Sequence, residues 1–279
     1  LHGRHSSLMM IAEDSSDFYG VTKPLDQNGI GFDYKWDLGW MNDTFKYFKM
    51  DPIYRQYHHN LINWSMAYFY SEKFILPFSH DEVVHGKATV VDKMWGTYEQ
   101  KFAQARALYA YMFLHPGKKL NFMGNELGML REWDEQRSCD WFLRDYPMHD
   151  SFEKYFADLG KLYVENDAFY GRDYDWDSFQ WIDADDKQHN TYSFIRKGTK
   201  KDFIVILNFS TNQYHLQFGV PTAGLYREVL NSQWGQYNGD WVGGIPRIAH
   251  SIKFKRNNQP YMIEVEVPAF GAIVYEVEK

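Results

Sequence analysis

The densest cluster of reactive side chains lies in residues 79–87, which read Ser-His-Asp-Glu-Val-Val-His-Gly-Lys. A further acid, Glu13, directly follows the short apolar run of residues 8–12. Two carboxyl groups can cleave a glycosidic bond with retention when one protonates the leaving oxygen and the other forms a glycosyl-enzyme. Glu13 suits the role of the acid, because an apolar setting favours a neutral carboxyl group. Asp81, beside His80, suits binding of sugar hydroxyls.

A metal site is the first alternative for this cluster. The metalloprotease pattern has Glu directly after the first His and a second His four residues along a helix. Here His80 and His85 are five residues apart and an Asp follows the first, so we predict no metal. There is no nucleophile elbow, no phosphate-binding glycine loop and no dinucleotide fingerprint, and Cys139 has no motif around it. Carboxylate chemistry remains, with a purely structural role for each acid as the open alternative.

The elements that must position these acids alternate between strands and helices. The short apolar runs that predict strands are residues 8–12, 30–36, 74–78 and 120–123. Helical spacing of apolar residues predicts helices over residues 98–115 and 152–166. This order is typical of parallel β/α units, whose active sites lie at the carboxyl ends of the strands. Acids that follow the strands should therefore converge on one face: Glu13, Asp37, Asp81 and Glu126.

The pattern changes after about residue 166. Short apolar segments separated by turn residues predict strands over residues 191–196, 203–209, 214–218, 224–230, 251–255, 261–267 and 272–277. They indicate an antiparallel β-sandwich of roughly a hundred residues. We place the boundary near Tyr170, which gives domains of residues 1–169 and 170–279.

The charge and composition limit the classes of partner and the cellular compartment that fit this chain. A formal charge of −7 argues against nucleic acid or an anionic membrane, because both attract basic surfaces. No apolar run approaches the length of a membrane span, and we expect no signal peptide. Cys139 is the only cysteine, which fits a reducing compartment, and we expect a cytoplasmic protein. Since the chain begins at Leu1, we expect it to start within a longer protein.

The sequence resembles the α-amylase superfamily of barrel enzymes, and within it the bacterial-type glycogen branching enzymes. Residues 10–15, Met-Ile-Ala-Glu-Asp-Ser, resemble the family segment that carries the general acid/base. Residues 78–83, Phe-Ser-His-Asp-Glu-Val, resemble the segment that carries the Asp that stabilises the transition state and the His before it. The longer string over residues 79–87 is more specific to the bacterial branching type.

The resemblance implies an α/β fold: strands five to eight of a (β/α)8 barrel, followed by an all-β sandwich domain. It implies that Glu13 and Asp81 are catalytic, and we expect His80, Trp36 and Glu126 to bind the substrate. It also implies that no metal or organic cofactor is needed. The nucleophilic Asp of the family lies upstream of the acid/base segment, so no residue of this chain is given that role and the chain alone should be inactive.

The implied activity is 1,4-α-glucan branching in glycogen biosynthesis, in which a cleaved α-1,4 chain is transferred to a 6-hydroxyl group. The expected partner is α-1,4-glucan or glycogen, and the full-length protein is expected to be a monomer. An α-glucan hydrolase of the same superfamily, for example a trehalose-releasing one, is one alternative, and a non-catalytic glucan-binding fragment is another. The chain departs from the family pattern at Asn125, Met129 and Cys139, in a loop where side chains could adjust glucan contacts.

Overall fold

The strands of the chain fall into one parallel sheet and two antiparallel sheets, in a computed structural model that describes residues 2–240 and 247–277. The first part contains β1 (Ile11–Ala12), β2 (Tyr34–Trp36), β3 (Phe74–Phe78) and β4 (Lys118–Asn121). Its helices are α1 (Leu38–Lys49), α2 (Pro52–Arg55), α3 (Asn60–Asn63), α4 (Ser65–Tyr68), α5 (Tyr98–Leu114) and α6 (Pro147–Glu165). Among the described residues, no helix is long and apolar enough to cross a membrane.

The first sheet has the order β1-β2-β3-β4, and every neighbouring pair is parallel. The prediction of a parallel sheet is therefore confirmed for this part, and α-helices follow β2, β3 and β4. The predicted bounds of β3 are matched, whereas β2 is shorter than the predicted 30–36 and β4 begins two residues before the predicted 120–123. Residues 13–33, which connect β1 to β2, contain only a short 3-10 turn in place of an α-helix.

The second part contains β5 (Phe179–Asp186), β6 (Thr191–Lys197), β7 (Asp202–Asn208), β8 (Tyr214–Val220), β9 (Leu225–Asn231), β10 (Ile248–His250), β11 (Tyr261–Val267) and β12 (Gly271–Val277). The larger sheet has the order β10-β9-β12-β7-β6-β5, and β8 pairs with β11 in the smaller one. All pairs are antiparallel, and buried side chains such as Ile206 and Val265 fill the space between the sheets. The predicted β-domain is confirmed, but the strand predicted over 251–255 is wrong, because only Ile252 forms an isolated bridge there.

Helix α5 is the central element, because its surface is buried on almost every side. A capping box between Thr97 and Gln100 starts the helix. The helix packs against α6 and also against β7 and β12 of the larger antiparallel sheet. Strand β7 is apolar on both faces for this reason, since Val205 faces the core around α5 while Ile206 faces the smaller sheet. One apolar core thus joins the two parts of the chain.

Three arginine side chains are fully buried in the described residues, and each crosses between the two parts. The guanidinium of Arg55 donates to the carbonyl oxygen of Phe209 at 2.7 Å, and that of Arg106 donates to the carbonyl oxygen of Ser232 at 2.6 Å. Arg196, on β6, donates in the opposite direction, to the carbonyl oxygen of the last residue of α5 at 2.8 Å. Because a buried charge is costly unless it has hydrogen-bond partners, these contacts fix how the two parts meet.

Within the described residues, one carboxylate pairs with these arginines: Oδ1 of Asp173 lies 2.9 Å from Nη2 of Arg196, and both side chains are fully buried. Oδ2 of Asp173 lies 3.0 Å from Nζ of Lys118. We predict that Asp173→Asn lowers the free energy of unfolding by about 3–5 kcal/mol, because it leaves a buried cation without its counter-charge. Urea denaturation of the intact protein that carries this chain measures this loss.

A matched control is Asp177→Asn, which breaks the 2.6 Å contact to Arg172 between side chains that are 30% and 49% exposed. An exposed pair of this kind contributes about 0.2–1 kcal/mol, so this variant should unfold almost as the unchanged chain does. Equal losses in the two variants would contradict the structural role given to the buried pair.

Asp37 provides a second test, because it caps the start of α1 from a buried position. Its Oδ1 accepts the backbone N–H of Trp40 at 2.8 Å and the hydroxyl of Tyr68 at 3.0 Å. Burial raises the pKa of Asp37 to about 6 from the ordinary 3.8. Between these two values the folded chain binds more protons than the unfolded one, so the stability of the unchanged chain falls as the pH rises.

We predict that Asp37→Asn removes this loss of stability with rising pH, since asparagine keeps a capping oxygen and never ionises. The variant and the unchanged chain should have similar unfolding free energies near pH 4, where the carboxyl group of the folded chain is neutral. At pH 7 the free energy of unfolding of the variant should exceed that of the unchanged chain by up to about 3 kcal/mol, because each unit of pKa shift corresponds to about 1.4 kcal/mol. A difference that stays constant from pH 4 to pH 7 would contradict the raised pKa.

Candidate active site

The carboxyl ends of the four parallel strands lie at one edge of the first sheet. Glu13 follows β1 directly, Trp36 is the last residue of β2, and His80 and Asp81 lie two and three residues beyond β3. The register pairs Ala12 with a residue of β2 and aligns neighbouring strands in the same direction. Parallel strands therefore bring the residues expected from the sequence to the same side of the fold.

Four cavities along this edge are connected by the residues that they share. Glu13 and Asp14 line a cavity of about 430 Å³, and Asp14 with Trp36 lines a second of about 600 Å³. Trp36 and His80 line a third of about 400 Å³, and His80 with Asp81 lines a fourth of about 500 Å³. Each cavity therefore shares a lining residue with the next, and together they link Glu13 to Asp81.

The surroundings of Glu13 differ from the sequence-based expectation. An apolar setting was expected, but the side chain is exposed, because the connection after β1 leaves it uncovered. The buried Lys35 on β2 fixes the residues just after it, donating to Oδ2 of Asp14 at 2.9 Å and to the carbonyl oxygen of Ser16 at 3.3 Å. The hydrogen bond from Lys35 holds the pKa of Asp14 down at about 2. Glu13 thus stands beside an anchored acid rather than inside an apolar pocket.

Glu72 anchors the middle of the same connection, a role that sequence motifs did not indicate. Its carboxylate accepts the backbone N–H groups of Gly20 at 2.6 Å, Val21 at 2.8 Å and Thr22 at 2.7 Å. These three donors have no strand or helix partner, so the carboxylate replaces the hydrogen bonds that a helix would supply. The anchor holds the 13–33 connection against the segment just before β3.

His80 and Asp81 form a contact of their own, with 3.2 Å between His80 Nε2 and Asp81 Oδ1, and both side chains are about half exposed. The His80 ring packs against Phe122, with centroids 5.7 Å apart, and edge-on to Trp133, with centroids 6.0 Å apart. Two aromatic rings therefore hold the imidazole while one side of the His–Asp pair remains open. No group of three potential metal ligands occurs among the described residues.

Trp36 is half-buried, and it lines two of the four cavities. Two of the four acids that were expected to converge with it turn back into the fold. Asp37 caps α1, and Glu126 accepts the backbone N–H of Gly124 at 2.9 Å within a tight turn. Glu126 lines none of the four cavities, so the structure does not bring it together with His80 and Trp36.

The three departures from the family pattern have packing roles. Met129 is buried and forms a small apolar cluster with Leu127 and Leu143, against which the half-buried Cys139 packs. Asn125 is buried and donates to the side-chain oxygen of Asn121 at 3.3 Å. These side chains stabilise the loop after β4 from the inside, and the expectation that they lie where sugar contacts are made does not fit their burial.

Comparison with known proteins gives matches over nearly the whole chain. Residues 181–278 match the family described as alpha amylase, C-terminal all-beta domain. The chain is 45% identical to the 1,4-alpha-glucan branching enzyme GlgB of Geobacillus stearothermophilus, over 98% of this chain and 43% of that protein. It is 43% identical to the enzyme of the same name from Halothermothrix orenii, over 96% of this chain and 43% of that protein.

The chain thus spans roughly two fifths of the length of these relatives. In solved structures, an alpha-amylase from H. orenii superposes with a TM-score of 0.60 at 18% identity, over 97% of this chain and 54% of that one. That likeness shows a shared fold. The resemblance indicated by the motifs is confirmed: this chain is a relative of the bacterial 1,4-alpha-glucan branching enzymes and carries the all-β C-terminal domain of the alpha amylases.

Proposed function

We propose that this chain is the part of a 1,4-α-glucan branching enzyme that supplies the general acid/base and the residues that hold the reacting sugar. The observation that carries the proposal is the set of cavities that share lining residues from Glu13 to Asp81 along one sheet edge. The branching enzymes that match this chain support the same function. The ligand would be an α-1,4-glucan chain or glycogen, and the protein would act as a cytoplasmic monomer.

In the proposed reaction, Glu13 protonates the oxygen of the departing glucan as the α-1,4 bond breaks. A second carboxylate forms the glycosyl-enzyme, and we assign no residue of this chain to that step. Glu13 then removes the proton from the 6-hydroxyl of the acceptor as the new bond forms. Its exposed position leaves room for two glucan chains to approach in turn.

The sugar is held by the remaining residues of the edge. Asp81 accepts hydrogen bonds from hydroxyl groups of the distorted ring, and His80 lies beside it at 3.2 Å to do the same. Trp36 offers a flat apolar surface between the cavity of Asp14 and that of His80, as sugar faces require. We keep Glu126 only as an indirect contributor, because its carboxylate is engaged with Gly124.

The proposed architecture is half of a (β/α)8 barrel, strands five to eight, followed by the β-domain from about Tyr170. The four parallel strands and the placement of the candidate residues at their carboxyl ends support it. Exposed apolar side chains along the edge strand β1 and just before it, Leu8, Met9 and Ile11, support a further strand on that side. Helix α6 ends at Glu165 and β5 begins at Phe179, so the boundary falls between them.

Glu13→Gln tests the acid/base role in an intact protein that carries this chain. We predict that branching turnover falls at least about a hundredfold, the usual scale for a lost general acid/base, while the melting temperature hardly changes. Turnover is followed by iodine staining of amylose and by counting α-1,6 linkages after debranching. Glu165→Gln, at the exposed end of α6, is the control with the same chemical change and should retain full turnover.

Wild-type branching by Glu13→Gln would end the assignment of this residue. Release of reducing ends without new α-1,6 linkages by the unaltered protein would favour the α-glucan hydrolase. Retention on a glucan column without either activity would favour a binding protein.

The chain of residues 1–279 tests the proposal that a further segment is needed. Expressed alone, it should form no α-1,6 linkages, because the nucleophile that completes the covalent step is assigned elsewhere. It should also aggregate readily, since no further strand in the described part of the chain pairs with β1 or β4 at the two edges of the four-stranded sheet. Branching assays and thermal melts measure both properties. Full activity with one sharp melting transition would mean that these residues hold a complete active site.

A further inference from the structure

The segment that follows Asp81 has an unfavourable backbone conformation. His85 and Ala88 have φ angles of 57° and 65°, in the left-handed region that residues other than glycine rarely adopt. Gly86, between them, has a φ angle of 79°. Such a conformation persists only where surrounding contacts impose it. Two residues impose it here, Glu132 in the loop after β4 and the buried Lys93.

Glu132 supplies the main contacts to this segment. Its Oε2 accepts the backbone N–H of Gly86 at 2.8 Å, and its Oε1 accepts that of Ala88 at 2.7 Å. These two N–H groups also keep the pKa of Glu132 below its ordinary value. The next residue, Trp133, donates its backbone N–H to the carbonyl oxygen of Val83 at 3.0 Å. Both carboxylate oxygens of Glu132 thus bind the turn, and the backbone hydrogen bond from Trp133 to Val83 holds its first residues.

Lys93 holds the same segment from inside the fold. Its side chain is buried, and its ammonium group donates to the carbonyl oxygens of Glu82 and Ala88. The ammonium also lies 5.2 Å from the centre of the Phe45 ring. The buried ammonium group of Lys93 therefore binds both ends of the turn, and the carboxylate of Glu132 binds its outer side.

The consequence reaches the candidate active site through Trp133. Its ring packs edge-on against His80, and it also contacts Phe122 with centroids 5.1 Å apart. A change at Glu132 frees the turn after Asp81 and loosens the ring that holds His80. We propose that Glu132 is a positioning residue for glucan branching, which fixes the 82–88 turn and Trp133 so that His80 and Asp81 keep the orientation that the reacting sugar requires. This inference rests on the proposed function.

The test uses the intact protein that carries this chain, with amylose as the substrate. Glu132→Ala removes both acceptors, and we expect kcat per folded molecule to fall at least about tenfold while KM changes by less than about threefold, because the lost contacts matter most in the distorted sugar. Glu132→Gln keeps one acceptor oxygen, so its kcat should lie between that of Glu132→Ala and that of the unaltered protein. Hydrogen exchange should be at least about tenfold faster at the amides of Gly86 and Ala88 in Glu132→Ala and unchanged in α5.

Glu165→Gln is the matched control, because Glu165 is exposed at the end of α6 and lines none of the four cavities of the candidate site. It should retain kcat and normal exchange. Faster exchange in Glu132→Ala with unchanged kcat would overturn the positioning role, and unchanged exchange would overturn the contact itself. An unaltered protein that forms no branches would instead overturn the proposed function, and the exchange result then shows separately whether Glu132 holds the turn.

Discussion

The geometry of the whole chain depends on the buried hydrogen bonds between arginine side chains and carbonyl groups across the interface of its two parts. Arg196 of the β-domain binds the carbonyl oxygen of Leu114, the last residue of α5. Four residues later β4 begins, and the end of β4 leads to Phe122, which packs against His80. Because a buried guanidinium tolerates little displacement from its acceptors, the β-domain constrains the position of the candidate site through one helix and one strand.

Local sequence patterns explain which strands could be predicted from the sequence. Strands β3 and β11 were predicted with their observed bounds, since one is a continuous apolar run and the other alternates regularly. Strand β5 was missed because its second half is rich in acids, and its pairing with β6 shifts register at Asp183. The strand predicted over 251–255 failed for the opposite reason: its alternation is regular, yet the backbone there pairs only at Ile252. Whether these two segments form strands depends on the strands with which they pair, and a local sequence pattern does not reveal those partners.

The candidate site was predictable in its position along the sheet but not in the orientation of its side chains. An acid after a parallel strand can face the open edge or turn back to a backbone N–H, and both outcomes have the same local sequence. Asp37 turns back to cap α1, and Glu126 turns back within its own loop. The exposure of Glu13 was not predictable either, because it depends on a 13–33 connection that Glu72 fixes from fifty residues away.

The way in which the acids are bound separates the candidate catalytic groups from the structural ones. Asp37, Glu72, Glu126 and Glu132 each accept at least one backbone N–H group, which occupies carboxylate oxygens that a ligand would otherwise use. Within residues 2–240 and 247–277, no hydrogen bond engages the carboxylate of Glu13, and Asp81 contacts only the adjacent His80. An acid that must exchange a proton or accept sugar hydroxyls needs such unoccupied oxygens. This contrast supports the assignment of Glu13 and Asp81 independently of their sequence motifs.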